Sequence, residues 1–210
     1  VLRLSQPGWS TCEILEDGRV RTGPGLRLKK LCAETARTGL GGFAFLEGIP
    51  GTVGGALRMN AGAMGRWMFD VTQSVRFLDA AGMVREQPAE ALHTGYRHCD
   101  ELRTGIVLEA VLVAGTPTPA DDIRRQIDAY ADKRRESQPR EPSAGCIFKN
   151  PESGHAGLLI DRAGLKGFRI GGAEVSRVHA NFIINRGGAT AEDVLELARE
   201  VRRRVHQAHG

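Results

Sequence analysis

Between Glu47 and Gly65 the chain reads Glu-Gly-Ile-Pro-Gly-Thr-Val-Gly-Gly-Ala-Leu-Arg-Met-Asn-Ala-Gly-Ala-Met-Gly, with Gly48, Gly51, Gly54, Gly55, Gly62 and Gly65 among few bulky residues. A backbone so short of Cβ atoms reaches positive φ without penalty and brings its amides close to a ligand. Such a stretch is either a ligand-cradling loop or a set of tight turns, and for any one glycine ordinary turn chemistry is sufficient.

The rest of the composition narrows the class. The 210 residues are 41% hydrophobic and 26% charged, enough for one large or two small domains with a core. No apolar run approaches the ~20 residues of a membrane helix, and the N-terminal residues lack a signal-peptide core. The residues thus suggest a cytoplasmic protein. Cys12, Cys32, Cys99 and Cys146 have no metal-ligand spacing, so free thiols are expected and no metal site. A net charge of +4 suits phosphate-bearing ligands, while 5% aromatic content gives nucleic-acid stacking little support. Arg134-Arg135 and Arg202-Arg203-Arg204 fall on amphipathic helices and read as solvated faces. The chain opens on Val1, in an extended-looking Val-Leu-Arg-Leu, which suggests a fragment.

Along the chain, Asp17-Gly18 predicts a hairpin between Thr11–Leu15 and Val20–Thr22. Apolar spacing from Leu26 to Thr38, closed by Gly39, predicts a helix leading into the glycine-rich stretch. Strands are expected at 71–78 and 83–86, and Ile106–Val113 reads as a buried strand. The prolines of Gly115–Pro119 mark a linker, which divides the chain into 1–115 and 116–210. Thr118, Pro119 and Asp121 then start a helix with Ile123, Ile127 and Tyr130 on its buried stripe. A short strand is expected at Cys146–Phe148 and another at Asn181–Asn185. Thr190 and Asp193 cap a final helix with Val194, Leu197, Ala198, Val201 and Val205 on one face. Strands and helices without regular alternation imply an α+β fold.

The order Gly-Ile-Pro-Gly-Thr-Val-Gly-Gly, followed by Asn60-Ala61-Gly62, resembles the flavin-contacting segment of the UDP-N-acetylenolpyruvoylglucosamine reductases (MurB). The looser Gly-Thr-Val-Gly-Gly is shared with vanillyl-alcohol-oxidase-like flavoproteins. Ser143-Ala144-Gly145-Cys146-Ile147-Phe148-Lys149-Asn150-Pro151 is similar to the reductase motif Ala-Gly-Ser-x-Phe-Lys-Asn-Pro, whose serine protonates the substrate carbon. Cys146 stands in that serine's place. A thiol with a reference pKa of ~8.5 remains protonated near neutrality and can donate, although an unpaired cysteine is more commonly a small buried hydrophobe. Gly95-Tyr96-Arg97 matches the family's Gly-Tyr-Arg, then departs from its usual serine with His98-Cys99. Runs at 156–161, 163–167, 171–173 and 179–185 resemble the family's C-terminal domain.

The resemblance implies the second part of a vanillyl-alcohol-oxidase-like FAD-binding domain at 1–115 and a MurB-type α+β substrate domain at 116–210. It implies FAD held by Gly48, Ile49, Pro50, Gly51, Thr52, Gly54, Gly55, Asn60, Ala61 and Gly62. It further implies NADPH as hydride donor, Arg97 and Cys146 as catalytic groups, and a nucleotide-sugar substrate bound by Tyr96, Lys149 and Asn150. The implied reaction is reduction of UDP-N-acetylglucosamine enolpyruvate to UDP-N-acetylmuramate in peptidoglycan precursor synthesis. A different flavin oxidoreductase of the wider family explains the glycine segment but not Phe148–Pro151. A degenerate, non-catalytic homologue is the other alternative. The family's N-terminal lobe, with its Gly-x-Gly-Ser-Asn turn, has no counterpart before Val1, and its catalytic glutamate falls beyond Gly210. By itself the chain is therefore expected to hold flavin weakly and turn over negligibly. Oligomeric state is not legible.

Overall fold

The computed structural model describes residues 4, 6–152 and 154–210, so most of the extended run expected from Val1 lies outside the described residues. Contacts divide the chain into two units, Val1–Asp132 and Lys133–Gly210.

In the first unit the Asp17-Gly18 turn forms as its chemistry requires. Gly18 takes φ 81°, and the Asp17 carboxylate accepts the Arg19 amide at 3.1 Å. It joins β1 (Cys12–Ile14) to β2 (Val20–Thr22). Three longer strands follow, β3 (Thr72–Leu78), β4 (Val84–Pro88) and β5 (Ile106–Leu112). They complete an antiparallel sheet in the order β1-β2-β5-β3-β4. The apolar run at 106–112 reads as a buried strand, yet β5 buries mainly Val107, Ala110 and Leu112, while Glu109 faces Arg21 at 3.8 Å. An antiparallel sheet needs only one covered face, and an apolar run alone does not reveal this.

Helix α1 (Leu28–Arg37) buries Leu28, Leu31, Cys32, Thr35 and Ala36, the expected stripe, and Gly39 at φ 72° ends it. Leu28, Leu31 and Cys32 join Leu26, Phe43, Leu46, Leu57 and Leu112 in one core. The glycine-rich stretch departs from the expected loop. Gly48 and Gly51 do take positive φ, at 71° and 134°, but residues 53–58 form a short helix, α2 (Val53–Arg58), with Gly54 and Gly55 inside it.

Helix α3 (Ala120–Ser137) starts directly after Pro119; Ile123 is buried, and Ile127 and Tyr130 pack on the first unit's core. The contact division accordingly falls within α3 rather than at the Gly115–Pro119 linker.

The second unit holds β6 (Ser143–Cys146), α4 (Ala156–Arg162), β7 (Arg169–Ile170), β8 (Ala173–Val175), β9 (Phe182–Asn185) and α5 (Ala191–His209). Its sheet runs β6-β9-β8-β7, all antiparallel. The strand expected at Cys146–Phe148 sits earlier, because Gly145 at φ 76° lies in a register shift and pairing ends at Cys146. On α5, Val194, Leu197, Ala198, Val201 and Val205 supply the face packed on this sheet's core. Its N-terminus is a reciprocal cap: Thr190 Oγ1 accepts the Asp193 amide at 3.1 Å, and Asp193 Oδ2 accepts the Thr190 amide at 3.0 Å. Thr190→Ala is expected to lower stability by about 1 kcal/mol, read as a shifted denaturant midpoint at constant slope.

Candidate functional site

Residues 24–28 and 51–54 run side by side, and each segment then turns into a helix. Val53 N–H donates to Leu26 O at 2.9 Å, Gly54 N–H to Pro24 O at 2.9 Å and Leu28 N–H to Gly51 O at 3.2 Å. Beside this junction lies a cavity of about 630 Å³, walled by Leu26, Leu102, Ile106 and Val107 and lined by Thr52, Gly54 and Gly55. Three cations, Arg27, Lys30 and Arg58, also line it. Helix N-termini favour carboxylates, but α1 has no acid in its first turn and its N-cap Arg27 provides no capping side chain. Among the described residues neither Arg27 nor Lys30 makes a salt bridge. Cations gathered at the positive end of α1 are unfavourable unless the cavity receives an anion. An apolar wall together with these cations fits a flat, diphosphate-linked ligand such as FAD.

The two helical glycines have separate reasons for being glycine. A Cβ on Gly54 would stand 2.8 Å from Pro24 Cβ, a clash within the protein itself. A Cβ on Gly55 would meet nothing closer than Thr52 Oγ1 at 3.9 Å, so this position is open. Of the residues expected to hold the cofactor, only Thr52, Gly54 and Gly55 line the cavity; Gly48, Ile49, Pro50, Gly51, Asn60, Ala61 and Gly62 lie outside its lining.

Beyond α2 the chain makes a hairpin pairing Gly62 with Trp67, turned by Met64 and Gly65 at φ 55° and 76°. Asn60 is 8% exposed, and its amide is engaged internally: Phe69 N–H donates to Oδ1 at 3.2 Å, and Nδ2 donates to Gly95 O at 3.4 Å. That second bond reaches another hairpin, Thr94–Gly95 against His98–Cys99, whose two-residue tip is Tyr96-Arg97. Arg97 sits at φ 62°, a left-handed conformation that a Cβ disfavours, with its guanidinium carbon 5.5 Å from the Tyr96 ring centroid. At the hairpin's foot Glu101 accepts the His93 amide at 3.1 Å, the His93 imidazole at 2.6 Å and the Cys99 thiol at 3.6 Å.

In the second unit the segment around Cys146 is held by a residue that local sequence does not single out. Buried Asn181 accepts the Phe148 amide on Oδ1 at 2.8 Å and donates from Nδ2 to Phe148 O at 3.0 Å. His179 Nδ1 in turn accepts the Asn181 amide at 3.2 Å, and burial lowers the His179 pKa, which favours the neutral ring this bond needs. Past the clamp, Asn150 Oδ1 accepts the Ala156 amide at 3.0 Å and so serves the first turn of α4. Lys149 is exposed and lines a second cavity of about 620 Å³ between α4 and the end of α5, while Cys146 and Asn150 lie outside that lining. None of the four cysteines forms a disulfide. Burial pushes Cys32 up to about 12 and Cys99 up to about 11. Cys146 is only half-buried.

The family described as FAD binding domain matches residues 1–87, and the UDP-N-acetylenolpyruvoylglucosamine reductase C-terminal domain matches 138–210. The reductase of Pelobacter propionicus is 42% identical over 96% of this chain and 68% of its own length. The chain belongs to the UDP-N-acetylenolpyruvoylglucosamine reductase family. Reductases of Beijerinckia indica subsp. indica and Geotalea uraniireducens are each 42% identical, over 91% and 100% of this chain. The chain spans 62% and 69% of their lengths. The crystal structure of UDP-N-acetylenolpyruvylglucosamine reductase (MurB) from Thermus caldophilus superposes with a TM-score of 0.84 at 40% identity. It covers 93% of this chain and 71% of that one. Within the reductase family framework, the fold is α+β, with a flavin-binding part followed by the C-terminal reductase domain. Among the described residues no helix is long and apolar enough to cross a membrane, and no group of three or more His, Cys, Asp or Glu could hold a metal ion.

Proposed function

We propose that the protein containing this chain is a cytoplasmic, FAD-dependent reductase that converts UDP-N-acetylglucosamine enolpyruvate to UDP-N-acetylmuramate at the expense of NADPH. The observation that carries this reading is the joint presence of the cation-lined cavity beside α2 and the Gly145–Pro151 segment in a chain 42% identical to named reductases. A flavin oxidoreductase of another kind has no use for the second of these. Bound flavin supplies hydride transfer, and the residues supply charge, orientation and a proton. Arg27, Lys30 and Arg58 face the cofactor's diphosphate, and α2 with Thr52 and Gly55 lies along it. Residues 48–51 and 60–62 are assigned to the cofactor's remaining surface. Arg97 offers a planar, permanently charged fork to the substrate carboxylate as negative charge spreads into it during reduction. Tyr96, Lys149 and Asn150 contact the nucleotide sugar, and Cys146 delivers a proton from Sγ to the substrate carbon. We assign 1–115 to flavin binding and 116–210 to the substrate, with the Ile123 face of α3 serving the former.

Anaerobic stopped-flow with the full-length protein tests the function. NADPH should bleach the flavin, and the enolpyruvyl nucleotide sugar should restore its absorbance with formation of UDP-N-acetylmuramate. Bleaching without substrate-driven recovery would assign the chain to another flavoenzyme.

The Arg97 backbone gives a separable prediction. Glycine suits φ 62° better than arginine does, so Arg97→Gly is expected to leave stability unchanged or raise it by about 1 kcal/mol. The same variant should lose ~100-fold in substrate-driven flavin reoxidation. A lower denaturation midpoint combined with normal reoxidation would reverse the assignment.

A further inference from the structure

We propose that Trp67 is a positioning residue for Arg97, an inference that rests on the function proposed above. Trp67 is 38% exposed, so burial does not account for a large indole at this place. Its ring lies across the neighbouring strand, where a Cβ on Gly62 would stand 2.2 Å from Trp67 Cε3. A side chain at Gly62 would thus collide with the indole. From there the indole meets Tyr96 edge to face, with centroids 6.0 Å apart and planes at 79°. Tyr96 in turn carries the Arg97 guanidinium on its ring. The stack therefore runs from the glycine-rich segment through Trp67 and Tyr96 to Arg97, and the Asn60 side-chain amide, just before the first hairpin, donates to Gly95 O in the second. A left-handed arginine at a hairpin tip persists only when its surroundings over-determine it. The stack supplies that constraint, and it fixes the direction of the fork that meets the substrate carboxylate.

A double-mutant cycle in the full-length protein tests this. Trp67→Leu should slow substrate-driven flavin reoxidation ~10-fold or more, because small misplacements of a charged group are costly. Flavin content and the rate of bleaching by NADPH should stay at wild-type values, and Trp67→Phe should recover most of the rate. In an Arg97→Ala background Trp67→Leu should change the rate by less than about two-fold, since both substitutions act through one group. Losses that simply multiply, or a Trp67→Leu rate equal to wild type, overturn the inference. Hydrogen exchange reads the same stack without turnover: amides of residues 94–99 should exchange faster in Trp67→Leu and at the wild-type rate in Trp67→Phe. Unchanged exchange in Trp67→Leu also overturns it. If the wild-type protein fails to reoxidise with the enolpyruvyl substrate, the functional reading fails, and exchange alone decides the positioning.

Discussion

Cys146→Ala in the full-length protein is expected to lower turnover ~100-fold or more, while Cys146→Ser retains most of it. Reduction of a carbon–carbon double bond needs one hydride and one proton, and alanine has no proton to give, whereas a hydroxyl on the same stem has. Flavin bleaching by NADPH precedes this step and should survive in both variants. Cys146 ends β6 half-buried, next to the Asn181 clamp, whereas Cys32 and Cys99 are buried. A loss of only a few-fold in Cys146→Ala would move the proton donor elsewhere.

Gly55→Val is expected to abolish flavin retention with the fold intact. Its Cβ enters open space on the cavity side of α2, so the added bulk displaces ligand rather than protein. Gly54→Ala is the contrasting variant. It drives a methyl against Pro24 within the protein, and should lower stability by about 1–3 kcal/mol. Visible absorbance per protein and a urea denaturation curve separate the two effects. Normal flavin content in Gly55→Val would remove α2 from the binding site.

The features legible in the sequence were those whose chemistry is local. Asp17-Gly18 contains its own turn, Thr190 and Asp193 contain their own cap, and the stripe of α1 follows from spacing alone. The helix through Gly54 and Gly55 was not legible, because two adjacent glycines carry the poorest propensity short of proline. What holds α2 is tertiary: its first amides bond to Leu26 O and Pro24 O on another segment. Helix α4 was missed for a related reason, since its first turn is served by Asn150, upstream of its N-cap. The glycine-rich stretch points to the proposed flavin site, but not to the cations that line its cavity. Arg27, Lys30 and Arg58 become neighbours only once α1 and α2 start side by side. An acid-free first turn on α1 was the available signal. Asn60 and Gly62 also have internal duties that the family motif does not record, Asn60 in bonds to Phe69 and Gly95 and Gly62 in leaving room for the Trp67 indole. Asn181 lies far from Phe148 in sequence and offers no local mark at all.

The indole laid across Gly62 also makes the molecule its own optical instrument. The chain has two tryptophans, Trp9 and Trp67. The Trp9 carbonyl accepts the amide of Gly25, a residue that lines the proposed flavin cavity, at 2.7 Å, and Trp67 sits against the arginine hairpin. Removing either leaves a single emitter with a known address. With phenylalanine at position 9, emission should follow events at the Arg97 tip; with phenylalanine at position 67, it should follow the cavity mouth. Cofactor loading and substrate arrival can thus be timed separately in one unlabelled polypeptide.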